Sequence, residues 1–473
     1  MEDTIAAIAT PYGEGGIGII RISGEEAEKI LDEVFVPYRV CVSEEAADSA
    51  GKKAKENRKL MYGHIVDPES GNKIDEVLAV FMKGPHTYTG EDVAEIDCHG
   101  GIVPLRKTLE LVYSRGAIPA ERGEFTKRAF LNGRIDLSQA EAVIDLIKAK
   151  ADKSFDVAME QLEGSLSREI QKIRAGLMDL LVELTVNIDY PDEDIEVITY
   201  EKIEDGLKRS QASTDRLLAS SNTGRLISEG IKVAIIGKPN VGKSSLMNAL
   251  LRESRAIVTD IPGTTRDTIE ESLSIDGIPV VLTDTAGIRE TSDKIETMGI
   301  ERSKASVGSA DLVLFMLDGS REPDEEDLFI AKHIEPDKTV FVINKTDLEQ
   351  KLFPEDVLRI TGHSAEDGIK ILETSLAEDS GAETIEKTIL SRVMTGETTQ
   401  GESVMVTNAR HEKLLKDAAG SIRDALALTK QEEPLEIIEI DVNQAYESLG
   451  EIIGESVGDD IIDEVFSRFC LGK

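Results

Sequence analysis

The sequence predicts a multidomain chain: an α+β N-terminal domain, an all-α helical domain, and an α/β domain inserted into the helical one. Three observations carry this. Strand and helix patterns mix through residues 1–120. From Ser138 to Ile188 strand signals vanish and apolar residues recur at helical spacing. At Val233 a buried-strand run begins, a glycine-rich turn and an apolar-periodic helix follow, and helical spacing returns after residue 404.

Composition sets outer bounds. The 473 residues suffice for about three domains, and 40 % apolar content is ordinary for a soluble globular protein. The formal charge of −37 argues against gripping nucleic acid through the overall field, because phosphate binding needs cationic patches. The three cysteines, Cys41, Cys98 and Cys470, form no metal motif and no disulfide framework, so reduced thiols in a cytoplasm are expected. No apolar run approaches about 18 residues, so no membrane span is expected. No signal-peptide pattern opens the chain.

In the first domain, Thr4 to Ala9 and Ile17 to Ile22 read as strands around Gly13-Glu14-Gly15-Gly16-Ile17-Gly18. That turn formally matches a dinucleotide fingerprint, but it opens a β-pattern where the fingerprint must open a helix, so a hairpin-like turn is expected. A helix is expected after Ser23, with Glu26 completing a capping box. Residues 43–58 read as a surface loop. Asp75 to Met82 and Val93 to Cys98 read as strands, and Ile102 to Ser114 as a helix. The helical domain begins near residue 121, with Ser138 and Glu141 as a second capping box. Pro191 breaks the run before the acidic Asp192-Glu193-Asp194, a solvated connection, and a further helix is expected from Ile203 to Ser220.

Residues 230–391 hold the inserted domain. Val233 to Ile236 reads as a buried strand ending in Gly237-x-x-x-x-Gly242-Lys243-Ser244. This is a phosphate loop in its required context of strand, turn and helix. Backbone N–H groups of Asn240, Val241, Gly242, Lys243, Ser244 and Ser245 are expected to cradle phosphates at a helix N-terminus. Lys243 reaches the β- and γ-phosphates, and the Ser244 hydroxyl ligates Mg2+. Asp284-Thr285-Ala286-Gly287 follows a second strand run; Asp284 is placed to hold Mg2+ through water, and the Gly287 N–H to meet the γ-phosphate. Thr265, in a segment running from Thr259, Asp260, Ile261, Pro262, Gly263 and Thr264, is placed to complete the Mg2+ shell. Asn344-Lys345-Thr346-Asp347 follows a third strand run, and a carboxylate at Asp347 accepts from guanine N1–H and N2–H2, which adenine lacks. Ser375-Leu376-Ala377 fits the loop that closes over the base, better placed after its strand than Ser364-Ala365. Each tetrapeptide alone is weak; in this order, each at a strand end, they predict a P-loop GTPase domain. The tail reads as helices from Leu414 to Leu428, Asn443 to Gly450 and Asp460 to Phe469, so residues 392–473 complete the helical domain.

The motif set resembles the MnmE (TrmE) family of bacterial tRNA-modification GTPases over nearly the whole chain. The matching residues are Thr10-Pro11 with Gly15-Gly16, Tyr88-Thr89-Gly90-Glu91-Asp92, His99-Gly100-Gly101, Arg122-Gly123-Glu124-Phe125-Thr126, Arg128-Ala129-Phe130-Leu131-Asn132, Thr407-Asn408-Ala409-Arg410-His411 and the terminal Phe469-Cys470-Leu471-Gly472-Lys473. The family usually has Ile at 471 and often Lys at 134. The resemblance implies a T-protein-like N-terminal domain that binds 5,10-methylene- or 5-formyl-tetrahydrofolate through Arg21, Glu95, Arg134 and Lys473. It implies a homodimer, a heterotetramer with the FAD-carrying flavoprotein MnmG, and C5 modification of the wobble uridine of certain tRNAs. It further implies a K+ ion held by Asn240, Thr259, Ile261 and Thr264, standing where an arginine finger would, and Glu296 as the water-orienting carboxylate. Ile288 occupies the position where Ras-type enzymes carry glutamine. Without the resemblance, Glu296 reads as a solvated helix residue and the four folate positions as ordinary surface charges.

Two competing readings remain at this level. A K+-dependent ribosome-assembly GTPase shares the Asn240 loop, but no basic RNA-binding appendage follows the GTPase domain. A scaffold that merely dimerises leaves the phosphate loop without a purpose. The resemblance also places Lys473 beside the first domain, which requires the C-terminus to fold back over it. The inserted domain would then sit outside on two connections, free to move.

Overall fold

The computed structural model describes residues 3–11, 13–38, 57–190, 198–253, 270–284, 308–332, 334–362, 369–378, 380–394 and 404–473. Most of the expected loop 43–58 lies outside these residues, as do Cys41, Pro191, Asp192, Glu193, Asp194, Ser364 and Ala365.

In chain order the first elements are β1 (Ile5–Ile8), β2 (Ile17–Ser23), α1 (Ala27–Val34), β3 (Phe35–Pro37), β4 (Met61–Val66), β5 (Lys73–Met82), β6 (Val93–His99), α2 (Ile102–Ser114), β7 (Ile118–Pro119) and α3 (Glu124–Leu131). Four helices follow: α4 (Leu137–Lys148), α5 (Asp152–Leu162), α6 (Ser165–Asp189) and α7 (Tyr200–Glu229). The inserted region contributes β8 (Ile231–Ile236), α8 (Lys243–Glu253), β9 (Glu270–Ile275), β10 (Ile278–Asp284), β11 (Leu312–Asp318), α9 (Glu325–Ala331), β12 (Thr339–Asn344), α10 (Pro354–Thr361), β13 (Lys370–Glu373) and α11 (Ser380–Val393). The chain ends in α12 (Ala409–Lys430), α13 (Leu435–Ile453) and α14 (Asp459–Ser467). The elements fall into two compact units, one of Met1–Ile144 with Leu449–Lys473, the other of Asp145–Ser448. Residues 121–144 and 449–473, assigned to the helical domain from sequence, therefore pack with the N-terminal sheet.

The first unit is built on a seven-stranded sheet, ordered β3-β4-β5-β6-β2-β1-β7. β2 follows the glycine-rich turn and pairs antiparallel with β1, Ile8 opposite Ile20, so the turn opens a strand and not a helix. Period-two patterning puts Ile20, Ile22, Ala94 and Ile96 on the face that buries α1 and α2. Each Ile buried there contributes about 1.5–3 kcal/mol. Both sequence-derived capping boxes are corrected. Ser23 lies in β2 and its hydroxyl bonds Thr89 and Glu91, while Glu26 gives no side-chain cap to α1. At α4 the cap is Asp136, which accepts from the Ser138 hydroxyl and the Gln139 N–H, while the Gln139 side chain accepts from the Asp136 N–H. In each case a nearby partner offered the hydroxyl a better bond than the helix end did.

The second unit joins a helical bundle to a six-stranded sheet, ordered β13-β12-β11-β8-β10-β9. All pairings are parallel except β10 with β9. β8 is central and buried, as its unbroken apolar run requires of a parallel strand covered on both faces. The inserted region falls in the second unit, apart from the unit that holds the N-terminal sheet and the C-terminus, and it meets the helical bundle at more than its two chain connections. Gly230 alone separates α7 from β8. The Lys153 N–H donates to the Gly277 carbonyl at 3.0 Å, and the Lys150 ammonium to the Ser272 hydroxyl at 3.3 Å, so the β9–β10 hairpin is seated against the start of α5. Among the described residues no helix is long and apolar enough to cross a membrane.

Candidate functional site

The phosphate loop leaves the carboxyl end of β8, beside β11 on one flank and β10 on the other, where parallel sheets present ligand sites. Gly242 holds φ +110°, and a Cβ there would lie 2.2 Å from the Asn344 amide nitrogen, so glycine is required on both counts. Asn240, also at positive φ (64°), is exposed, as are Ser244 and Ser245 at the start of α8. Lys243 is buried, its ammonium donating to the carbonyls of Gly237 at 2.5 Å and Lys238 at 2.6 Å, across the mouth of the loop.

The base-recognition segment is bonded to that loop. Asn344 is buried at the end of β12; its amide donates to the Val241 carbonyl at 2.9 Å and its oxygen accepts from the Leu376 N–H at 3.2 Å. One residue thus fixes the phosphate loop and the Ser375-Leu376-Ala377 loop together. Ser375 donates to Asp347 Oδ1 at 2.6 Å, orienting an exposed carboxylate, and the Ala377 N–H reaches back to the Ser375 hydroxyl. Lys345 takes φ +67° and pairs with Asp318 at 2.6 Å. Burial pushes the Asp318 carboxyl up, but hydrogen bonds from Lys345 and Ser320 outweigh it and hold the group below its ordinary value. Sequence reasoning missed Asp318, which belongs to no motif.

Asp284 ends β10 opposite Ile235, so its backbone reaches the same edge of the sheet. Thr285, Ala286, Gly287, Ile288 and Glu296 lie outside the described residues, as do Thr259, Asp260, Ile261, Pro262, Gly263, Thr264 and Thr265. Of the cation ligands, Ser244 and Asn240 are described; an exposed hydroxyl and an exposed amide oxygen at the phosphate loop are hard donors of the kind Mg2+ and K+ take.

A second polar centre lies in the first unit. Arg21 and Glu95 are cross-strand partners on β2 and β6, paired at 2.7 Å. The Arg21 guanidinium lies 5.4 Å from the Tyr88 ring centroid and 5.7 Å from that of Phe125, while Arg134 stacks over Tyr88 at 4.7 Å. Arg21 also reaches the Gly472 carbonyl at 3.5 Å. The C-terminal residues are held there: Leu471 bridges to Arg122, the Cys470 carbonyl accepts from the Gly123 N–H, and Gly472 takes φ +86° with its Cα against the Ile8 carbonyl, where a Cβ would come to 2.2 Å. Lys473 follows, half-buried. The structure therefore brings Arg21, Glu95, Arg134 and the C-terminus into one neighbourhood. Tyr88 and Phe125, which line it, were seen in sequence as motif members without a role. A carboxylate, two guanidiniums and an aromatic ring fit a pterin, whose amino-pyrimidinone edge pairs with a carboxylate, and a glutamate tail that needs cations. Cys470 is exposed and Cys98 buried, its thiol pushed up to about 12 by desolvation.

Family models and curated relatives match the chain along its whole length. Residues 137–470 match the model of the MnmE helical domain, and residues 4–134 that of the GTP-binding protein TrmE N-terminus. The chain is 49 % identical to the tRNA modification GTPase MnmE of Alkaliphilus metalliredigens, over the full length of both. It is 47 % identical to that of Clostridioides difficile and 45 % to that of Bacillus subtilis, again over the full length of both. The chain belongs to the MnmE family.

Proposed function

We propose that this protein hydrolyses GTP and couples the hydrolysis to modification of tRNA, installing a (carboxymethyl)aminomethyl group at C5 of the wobble uridine of certain tRNAs. Family membership over the whole chain supports the coupling. The observation that carries the folate half is Arg21, which links Glu95 to the carbonyl of Gly472. Tetrahydrofolate would supply the one-carbon unit. Glu95 would accept hydrogen bonds from the pterin, Tyr88 would stack on it, and Arg134 and Lys473 would meet carboxylates. Residues 1–120 would form this folate and dimerisation domain, with 121–144 and 449–473 in the same compact unit; the rest of 121–229 and 392–473 would form the helical bundle, and 230–391 the GTPase domain. The protein would work in the cytoplasm as a homodimer with the flavoprotein MnmG, which carries the FAD.

In the GTPase half, Asp347 would read guanine and Lys243 would grip the β- and γ-phosphates, with Mg2+ on Ser244 and Thr265. K+ would offset charge developing on the γ-phosphate. Asn240 would hold it with Thr259, Ile261 and Thr264, and Glu296 would orient the attacking water. Hydrolysis is expected to slow strongly when K+ is replaced by Na+, with nucleotide affinity little changed; equal rates in the two salts would remove the cation from the reading. Mass spectrometry of wobble uridines in a deletion strain tests the coupling: an unmodified wobble position is expected, and an unchanged uridine profile would sink it.

A further inference from the structure

Lys238 is the second residue of the phosphate loop, and its side chain points away from the loop into the protein. It is 3 % exposed, an unusual place for an ammonium group unless it is paired. Its partners come from the N-terminus of α9. Nζ is hydrogen-bonded to Asp324 Oδ1 and lies 3.0 Å from Asp327 Oδ2, with Glu326 at 3.9 Å. Asp327 is equally buried, at 3 %, and its other oxygen faces Arg321 at 3.9 Å. Asp324 caps α9 through the N–H groups of Glu326 and Asp327, and the Lys238 ammonium together with those bonds holds its carboxyl below the ordinary range. The acids are therefore fixed by the helix they begin, and they fix the lysine in turn.

The segment that supplies these acids has a second attachment. It leaves β11 at Asp318, which pairs with Lys345 of the base-recognition segment, and the Gly319 N–H donates to the Asn344 carbonyl at 2.8 Å. Asn344 in turn holds the Val241 carbonyl. The phosphate loop is thus clamped at its far half by Asn344 and at its near half by Lys238, and both clamps return to the stretch from Asp318 to Asp327. The near clamp also fixes the Lys238 carbonyl, which accepts from Lys243.

We propose that Lys238 is a positioning residue for guanine-nucleotide binding and hydrolysis: its ion pair with Asp324 and Asp327 braces the phosphate loop against the segment that also secures the base-recognition loop. The proposal rests on the guanine-nucleotide reading of this site. A buried charge stripped of its partner is more disruptive than the absence of both, so removing the ammonium should loosen the loop and displace Lys243 and Asn240.

The test uses the full chain and the fluorescent nucleotide mant-GDP. A displacement of about 1 Å at a positioned group can cost on the order of 100-fold, so Lys238→Met should speed mant-GDP release and lower kcat for GTP by at least tenfold each. Lys238→Arg keeps the cation and should stay near the wild-type values. Arg225→Met is the control: it removes an ion pair of 3.0 Å to Asp311, away from the phosphate loop, and should leave both quantities unchanged even where it lowers Tm. Asp324→Asn, at a half-exposed partner, should speed release by a smaller factor and serves where Lys238→Met does not fold. Wild-type release in Lys238→Met or Asp324→Asn, or equal acceleration in Arg225→Met, overturns the brace. Failure of the wild-type protein to bind mant-GDP would overturn the nucleotide reading itself.

Discussion

The two polar centres are built by opposite means. The nucleotide site is assembled from short contiguous stretches, each following a strand of one parallel sheet: the phosphate loop after β8, Asn344 to Asp347 after β12, Ser375 to Ala377 after β13. The Arg21 centre draws single residues from places far apart in the chain: Glu95 from another strand, Tyr88 and Phe125 from connections and α3, and Gly472 from 451 positions away. The first needs local backbone geometry, which glycines and strand ends write into the sequence. The second needs the C-terminus delivered to one sheet face, which is a matter of tertiary packing. Damage should therefore be local in the first centre and transmitted by the chain end in the second.

The largest expected effect probes the locality of the nucleotide site. Asp347→Asn inverts the hydrogen-bond pattern offered at guanine N1 and C2, so GTP affinity should fall by about four orders of magnitude while xanthosine triphosphate binds. Binding titrations with the two nucleotides check this, and unchanged GTP affinity removes Asp347 from the base site. Next, Lys243→Ala should slow hydrolysis by about 10²–10³-fold, measured as phosphate release, because a fixed cation at the transferring phosphate is lost. Tetrahydrofolate binding to the same variant should be untouched; joint loss would break the separation of the two centres.

Deleting Gly472 and Lys473 makes the converse test. A charge-assisted contact contributes about 1.5–3 kcal/mol, so folate affinity should drop roughly ten- to a hundredfold with GTP hydrolysis nearly intact. Equilibrium dialysis with 5-formyl-tetrahydrofolate reads the first quantity and phosphate release the second. Normal folate affinity in the shortened chain would detach the C-terminus from the Arg21 centre. The smallest effect concerns Asp318. Its carboxyl is held below 3.8 in the fold, so its pair with Lys345 contributes stability at higher pH and loses it as pH falls through the depressed value. Asp318→Asn should cost about 1 kcal/mol at pH 7, and the difference should shrink progressively as the pH falls below the ordinary aspartate range, read from thermal unfolding of both proteins. A pH-independent difference would show that the pair is not what the substitution removed.

Much of the fold is legible in the sequence. The phosphate loop, the rejected dinucleotide turn and the helix Ile102–Ser114 follow from patterns within about a dozen residues, where glycine placement and periodicity act directly on the backbone. The capping boxes were misplaced because a hydroxyl at Ser23 or Ser138 bonds whichever partner the fold brings nearest, and sequence spacing names just one of them. Lys238 is an unspecified position of the phosphate-loop motif, and no local pattern marks it because the acids that bury it, Asp324 and Asp327, lie 86 or more positions later.

The sequence by itself determined the strand-turn-helix at Gly237 to Ser244, the order of the motifs that follow, and the alternation of sheet and helix regions. These depend on steric limits and periodicity that neighbouring residues impose on one another. Tertiary structure alone decided that the β9–β10 hairpin rests on the start of α5. It also decided that Lys238 is buried among acids and that Gly472 arrives beside Arg21. Such contacts form where distant segments bury apolar surface together, and the free energy that selects them is shared across the whole core, with no local signature in the residues that meet.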